Sequence, residues 1–391
     1  MAEDQHHSPA PDPASALRLV RSRRVGAVTW RRLVTEHGSA GAALQVLPDI
    51  ARAAGVEGYE VCPPGVVEAE LRQGAKAGAR LLVHGTAEYP RALLDLPDAP
   101  PVLWALGDIG LLNRPAVALV GARNASSLGL RMARRLGQGL SAAGFTVVSG
   151  LARGIDAEAH AAALGEAGTS TGGTSTGGAS TGGASTVAVM AGGVDVIYPP
   201  ENTALALEIA VKGCRISEHP PGLDPQARHF PLRNRLVAGL SLAVVVVEAA
   251  AKSGSLITAR AALDQGREVM AVPGHPFDAR AAGCNGLIRD GALLVRGPQD
   301  VLEALGAPVA QAEPSLMIPA PSPPVPMSRS LKDTALLHSM ILTRLGPSPL
   351  AEDQLLRDLS VTSAELAPEL LLLELDGRIA RHPGGLLARV G

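Results

Sequence analysis

Through the middle of this chain, short and fully apolar runs alternate with amphipathic stretches, starting at Ala116. Val117 to Val120 is the first run and ends at Gly121. A helix is predicted from about Leu128 to Ala143. Phe145 to Val148 reads as the next strand, ending at Ser149-Gly150, with a helix through His160. Val187 to Met190 leads to Gly192-Gly193, Cys214 to Ser217 is a short strand, and Leu242 to Val247 is intensely apolar. Ser255 to Asp264 reads as a helix, and Val269 to Val272 ends at Pro273-Gly274. Strands that are apolar at every position are buried on both faces, as in a parallel sheet covered by helices. The pattern predicts a Rossmann-like α/β fold, with its core from about Asn113 to Arg296 inside an extended domain, 85–305. Right-handed crossovers gather the loops that follow the strands along one edge, where ligands of such sheets bind.

The flanks read differently. Residues 1–16 look like a disordered tail. Residues 17–84 predict short helices separated by glycine breaks, a module of helix-hairpin-helix or SAM-like type, or a plain helical cap without DNA contact. Tyr89-Pro90 and Pro97 to Pro101 mark a loop-rich passage. Within 166–186 the segment Thr169 to Thr186 repeats TSTGG, TSTGG, ASTGG. It has no apolar surface to bury and predicts a flexible insertion. Residues 306–328 form a proline-rich linker. Residues 329–391 predict three helices and a hairpin, a winged-helix-like domain.

Composition narrows the classes. Hydrophobic residues make up 46% of the 391-residue chain and charged residues 18%, so a large core is expected. The three cysteines, Cys62, Cys214 and Cys284, are widely spaced and odd in number. That argues against a disulfide framework or a zinc site and fits a reducing cytoplasm. The polar N-terminus predicts no signal peptide. The longest apolar run, Leu240 to Ala251, is too short and too interrupted for a membrane helix. Net charge is −2 for the chain, from −2 in 1–112, +3 in 113–300 and −3 in 301–391. Phosphate contacts are therefore expected in the middle domain, as a local patch. An aromatic content of 2% argues against a stacking platform of the OB or RRM kind. The third winged-helix segment carries Glu365, Glu369 and Glu374 and no Lys or Arg, which favours a protein contact over a duplex contact.

The candidate chemistry lies in the loops. The first βα turn, Gly121 to Gly129, is not GxGxxG, so a dinucleotide site fails at its own motif. It still places Arg123 and Ser126 beside backbone N–H groups at a helix start, an anion site. The second turn repeats the arrangement with Arg153 and Gly154. Phe230 to Arg235 reads as a loop before the apolar strand and carries Arg233, Asn234 and Arg235. The loop after that strand carries Lys252, Ser253, Gly254 and Ser255. Cys284-Asn285-Gly286 follows the last predicted strand. Five cations along one sheet edge suit a run of phosphates better than one phosphate. A single nucleotide site, or arginines paired with Asp156, Glu218 and Glu248, would also fit. No HExxH, GxSxG or Walker A motif occurs, and neither a catalytic residue, a metal site nor a cofactor is predicted. His160 is expected to partner Asp156.

These motifs, taken together and in order, resemble the DNA-processing protein A (DprA, also called Smf) family. They are Gly121-Ala-Arg123…Gly129, Ser149-Gly-Leu-Ala-Arg153-Gly-Ile-Asp156…His160, and Ala191-Gly192-Gly193…Tyr198-Pro199. They continue with Phe230-Pro-Leu-Arg233-Asn234-Arg235…Gly239-Leu-Ser241, Ser253-Gly254-Ser255-Leu-Ile-Thr258, Ala271-Val-Pro273-Gly274 and Gly283-Cys-Asn285-Gly-Leu-Ile. The resemblance covers about 113–296. It implies a cytoplasmic bacterial protein that binds and protects single-stranded DNA and helps load the RecA recombinase onto it during natural transformation. It also implies a homodimer built on the Rossmann-like domain. By motif position it carries Arg123, Arg153, Arg233, Arg235 and Lys252 over as DNA contacts. Two features depart from the pattern: Leu128 stands where the family often has Tyr, and the TSTGG insertion is foreign to it. The competing enzyme reading is a phosphoribohydrolase of lysine-decarboxylase-like type. Its PGGxGTxxE motif is missing, since Val194-Asp195 follows Gly192-Gly193.

Overall fold

A computed structural model describes residues 12–165, 185–306, 331–346, 349–359, 361–382 and 386–390. Most of the TSTGG insertion and of the proline-rich linker lies outside the described residues, as does Ser348. The described chain divides into two compact units. One holds residues 12–68, 97–101 and 331–390, and the other holds 69–96, 102–165 and 185–306.

The first helices are α1 (Pro13–Val20), α2 (Ala27–His37), α3 (Ala40–Ala53) and α4 (Pro64–Lys76). Helix α1 begins inside the stretch expected to be a disordered tail. Asp12 caps it, accepting from Ser15 N at 2.9 Å, and Pro13 follows at the first helical position. A capping carboxylate and a proline together are a helix start rather than a break. The buried Ala16, Leu17 and Leu19 anchor α1.

The sheet and its helices follow in chain order. They are β1 (Arg80–Val83), α5 (Arg91–Leu94), β2 (Val102–Gly107), β3 (Ala116–Gly121), α6 (Ser127–Ala142), β4 (Thr146–Ser149), α7 (Ile155–Ala163) and β5 (Thr186–Val189). Then come α8 (Thr203–Lys212), β6 (Cys214–Ser217), α9 (His229–Gly239), β7 (Ala243–Glu248), α10 (Ser255–Asp264), β8 (Glu268–Ala271), α11 (Ala282–Arg289), β9 (Leu293–Leu294) and α12 (Pro298–Leu305). The strand order is β1-β2-β6-β5-β4-β3-β7-β8-β9. From β6 to β9 every pairing is parallel, whereas β1 and β2 are antiparallel additions at one edge. Strand β1 falls within 17–84, which the pattern predicted as wholly helical. The chain winds outward from β3 in one direction through β4, β5 and β6 and in the other through β7, β8 and β9. The crevice between β3 and β7 is therefore the topological switch point, the usual ligand position in such sheets.

Two expectations about loops change. Phe230 to Arg235 lies on α9, not in a loop. Pro231 sits in the first turn of that helix, where no intrahelical N–H is required, so it does not break the element. Asn285 lies on α11, and the strand expected to be the last is followed by β9. The core between α6, α7 and the sheet is built from Val117, Leu119, Leu136, Leu140, Phe145, Val147, Val245 and their neighbours. The two ends of the insertion meet. Ser185 N donates to Ala163 O at 3.4 Å, and Ser185 Oγ lies 2.9 Å from Thr146 Oγ1.

The last elements are α13 (Leu331–Arg344), β10 (Leu350–Ala351), α14 (Glu352–Leu359), α15 (Ser363–Leu375), β11 (Ile379–His382) and β12 (Leu386–Arg389), a winged helix. Leu366, Leu370 and Leu373 of α15 enter its core. Leu371 and Leu375, one turn apart, are equally buried but lie outside that core. Helix α15 packs on α3, and Arg24 donates from Nη1 to Leu375 O. Arg381 reaches Glu352 at 2.8 Å and Glu374 at 3.3 Å, and Arg32 reaches Glu352 at 3.1 Å.

Candidate nucleic-acid interface

The first turn does hold an anion, but the anion belongs to the protein. Ser126 caps α6, accepting from Gly129 N at 3.0 Å. Its own N–H and Oγ–H donate to the Glu248 carboxylate, the backbone bond being 3.0 Å. Glu248 ends β7, so a side chain from across the switch point occupies the helix start. Arg123, in the same turn, stays exposed, with its guanidinium carbon 5.4 Å from the Phe230 ring centre.

The second turn is filled in the same way. Asp156 accepts from Gly150 N at 3.2 Å and Ala152 N at 3.3 Å. Burial pushes its carboxyl pKa up, and the nearby Arg233 opposes that shift. Leu151 adopts φ 56° and Gly154 φ 77°. At Gly154 a Cβ would collide with the carbonyl oxygens of Ala122 and Arg123, so the first and second turns touch here and only glycine fits. His160 does not partner Asp156. Its Nδ1 lies 2.7 Å from Thr186 Oγ1, which itself donates to Val147 O. Thr186 must then accept, so His160 carries its proton on Nδ1. Burial, aided by Arg233, holds its pKa down to about 3.

Arg233 joins these turns. It is 6% exposed, and its Nη1 donates to Gly150 O and to Val189 O, the latter at 2.9 Å. Its Nε donates to Asn234 Oδ1 at 3.0 Å. Burial lowers its pKa, while Asp156 acts in the opposite direction. The third turn, after β7, brings Lys252, Ser253, Gly254 and Ser255 to the start of α10, with the two serine hydroxyls 2.8 Å apart.

Together these turns wall a cleft of about 820 Å³. Arg123, Arg233, Asn234, Lys252, Ser253, Gly254 and Ser255 all line it. A second cleft of about 220 Å³ shares Arg123, Gly150, Ala152, Tyr198 and Phe230 with the first and adds Arg153. The two clefts adjoin at these shared residues, and together they make the groove that runs from Lys252 past Arg123 to Arg153. Arg153 approaches Glu201 at 3.5 Å, with both side chains more than half exposed. Among the described residues, no carboxylate lies within ion-pair distance of Arg123 or Lys252. Exposed cations without partners are what a phosphate chain requires.

Not every expected residue reaches the groove. Ser126 is committed to Glu248. Arg235 is paired with Glu218, and both side chains are largely buried. Asn285 bonds both ways to Gly274, at 3.1 and 3.0 Å. Gly154 lies beneath the groove rather than on its wall. The sequence reading also passed over residues that do line it: Asn124, Tyr198, Phe230 and Arg280. Arg280 was within reach of the same rule that found Lys252, since it too lies in a loop after a parallel strand. Tyr198 and Phe230 were hidden because a low aromatic total says nothing about where the few rings go. Among the described residues, no three His, Cys, Asp or Glu side chains gather as a metal ion would need. None of the described helices is long and apolar enough to cross a membrane.

Comparison with known proteins bears on all three parts of the chain. The family model for DNA recombination-mediator protein A matches residues 80–306. A DprA-like N-terminal HHH domain matches 11–72, and a DprA winged helix domain matches 324–385. Protein Smf of Synechocystis is 34% identical over 338 residues, covering 80% of this chain and 81% of the relative. Protein Smf of Escherichia coli is 38% identical over 324 residues, covering 83% and 81%. Among solved structures, DNA processing protein A from Streptococcus pneumoniae aligns with TM-score 0.61 and 33% identity, covering 75% of this chain and 97% of that one. DNA processing protein A from Helicobacter pylori, described for its single-stranded DNA binding mode, aligns with TM-score 0.50 and 29% identity, covering 58% and 95%. On the extent of these matches, the chain belongs to the DNA recombination-mediator protein A family, a family of DNA-processing proteins.

Proposed function

We propose that the groove binds the backbone of single-stranded DNA and that the protein loads a RecA-type recombinase onto the strand it protects. The observation that carries this reading is the pair of adjoining clefts, with cations placed from Lys252 through Arg123 to Arg153. One nucleotide would need one end of it, whereas a chain of phosphates uses its length. Tyr198, half exposed on the groove wall, offers a ring to unpaired bases, which a duplex keeps stacked inside, while Phe230 beside it is covered by Arg123 and Arg233. The Helicobacter pylori relative, with its single-stranded DNA binding mode, supports the same assignment. The protein works in the cytoplasm, as a homodimer through the Rossmann-like domain, and catalyses no reaction. Of the carboxylates lining the groove, Asp156 already accepts from Gly150 N and Ala152 N and Glu201 lies 3.5 Å from Arg153, which leaves both poorly placed as a general acid.

The test is a salt titration of binding to single- and double-stranded oligonucleotides of equal length, repeated with the recombinase present. Tighter single-strand binding that weakens steeply with salt, and faster recombinase filament growth, are expected. Equal affinity for the two forms, or no effect on the recombinase, overturns the corresponding half of the reading. Free base released from a nucleoside monophosphate would replace it with an enzyme. Sedimentation of the full chain reports the dimer.

A further inference from the structure

We propose that the loop between β8 and α11 is a base-stacking extension of the groove, with Phe277 as its stacking surface. This rests on the groove being a single-strand site. The protein's eight aromatic residues divide sharply by place. Trp30, Trp104, Tyr59, Tyr89 and Phe145 are buried in the two cores. The other three, Tyr198, Phe230 and Phe277, lie on loops and a helix start at one edge of the sheet. Tyr198 and Phe230 line the groove, but Phe277 is assigned to nothing and is 95% exposed. A lone exposed ring is common on protein surfaces, and what singles Phe277 out is its place beside the cleft, three residues from the cleft-lining Arg280.

The loop is built to present that ring. Its base is fastened at Gly274, whose N–H and carbonyl both bond to the Asn285 side chain. That bond explains why Asn285 stays out of the groove. Gly283 N donates to Ala249 O at 2.8 Å, tying the start of α11 to the loop that carries Lys252. At the tip, Phe277 N donates to His275 Nδ1 at 3.3 Å, and the two rings lie 5.6 Å apart. Asp278 Oδ1 accepts from Arg280 N at 2.9 Å and closes the return turn. Arg280 lines the main cleft with Lys252 and Ser253. A strand whose phosphate meets Arg280 thus has Phe277 three residues away, on the same fastened loop. Stacking on an aromatic ring tolerates any base, as a binder without sequence preference requires.

The test uses the full chain, an oligo(dT) strand and an abasic strand of the same length. Phe277→Ala is expected to weaken oligo(dT) binding about fivefold, at the lower end of what one base–aromatic stack contributes. Its salt slope should not change, and its affinity for the abasic strand should equal that of the wild type. Phe277→Trp should restore binding, with an indole emission that oligo(dT) quenches. Lys252→Ala provides the contrast, losing affinity on both strands with a flatter salt slope. Unchanged oligo(dT) affinity for Phe277→Ala overturns the proposal. So does an equal loss on the abasic strand, or a loss that tracks weakened self-association in sedimentation, which would make the ring a contact between copies. If the wild type itself fails to bind oligo(dT), the groove reading fails first and the proposal falls with it.

Discussion

The groove of the middle domain and the winged helix at the end of the chain both hold arginines among carboxylates, and they use them in opposite ways. In the winged helix, Arg381 is enclosed by Glu352 and Glu374, its side chain 8% exposed. Helix α15, which would be the recognition helix of a duplex binder, is buried on both sides. One side faces its own core and the other faces α3. Beside the groove, Glu248 is instead drawn onto the N-terminus of α6 and Asp156 onto the loop N–H groups ahead of α7, which leaves Arg123 and Lys252 facing outward. What separates the regions is where the acids are placed, not how many bases there are. The acids of α15 are met within the winged helix itself, Glu369 by His338 at 2.6 Å and Glu374 by Arg381 at 3.3 Å.

The comparison can be tested from both sides. The largest effect is expected at Arg233, the cation that joins the turns. Arg233→Ala strips the buried Gly150 O and Val189 O of their donor and Asp156 of its nearest cation, and should cost about 3 kcal/mol in urea unfolding. Adding Asp156→Asn should recover part of the loss, and failure to recover it would mean that Arg233 does not act through the carboxylate. Next in size is a pH effect. His160 is held neutral, with its pKa at about 3 against 6.5 when unfolded. The unfolded chain therefore takes up a proton that the native state refuses. Stability is complete above pH 6.5 and falls as pH drops from there towards 3. The slope is about 1.4 kcal/mol per unit, or roughly 2 kcal/mol lost by pH 5. His160→Leu should remove this slope between pH 7 and 5, measured by urea unfolding at each pH.

Smaller effects separate the regions most directly. Lys252→Ala should weaken single-strand binding about tenfold and reduce the slope of log affinity against log salt by about 1, leaving the melting temperature unchanged. Arg381→Ala should do the reverse. It is expected to cost about 1 kcal/mol, since its partners are partly exposed, and to speed protease cleavage within 331–390. Its single-strand affinity should match the wild type. A loss of affinity there would give the winged helix a share in DNA binding and break the contrast.

The sheet was legible because its strands are apolar at every position, a signal that needs no partner to interpret. Strand β2 was not, since Pro97 to Pro101 just before it read as a loop, and α9 was hidden by Pro231. In the groove, Arg123 and Lys252 followed from loop position alone. Ser126 was misplaced for a physical reason: a helix N-terminus attracts any anion, and its partner Glu248 stands 122 residues along the chain. Arg235 was lost to Glu218 in the same manner. Sequence periodicity locates the cations of such an edge, but only the folded chain decides which of them are already neutralised.

The seam at Ala163 and Ser185 has a consequence for how this gene can change. The chain on either side of the insertion is joined by hydrogen bonds of its own, so the fold does not measure the length between them. Closing a longer loop costs only with the logarithm of its length, and deleting all three five-residue repeats would shift stability by about 1 kcal/mol. Each repeat is an in-frame unit that copying errors can add or drop almost without penalty. Lineages of this protein should therefore differ in repeat number while the strands on both sides keep their register.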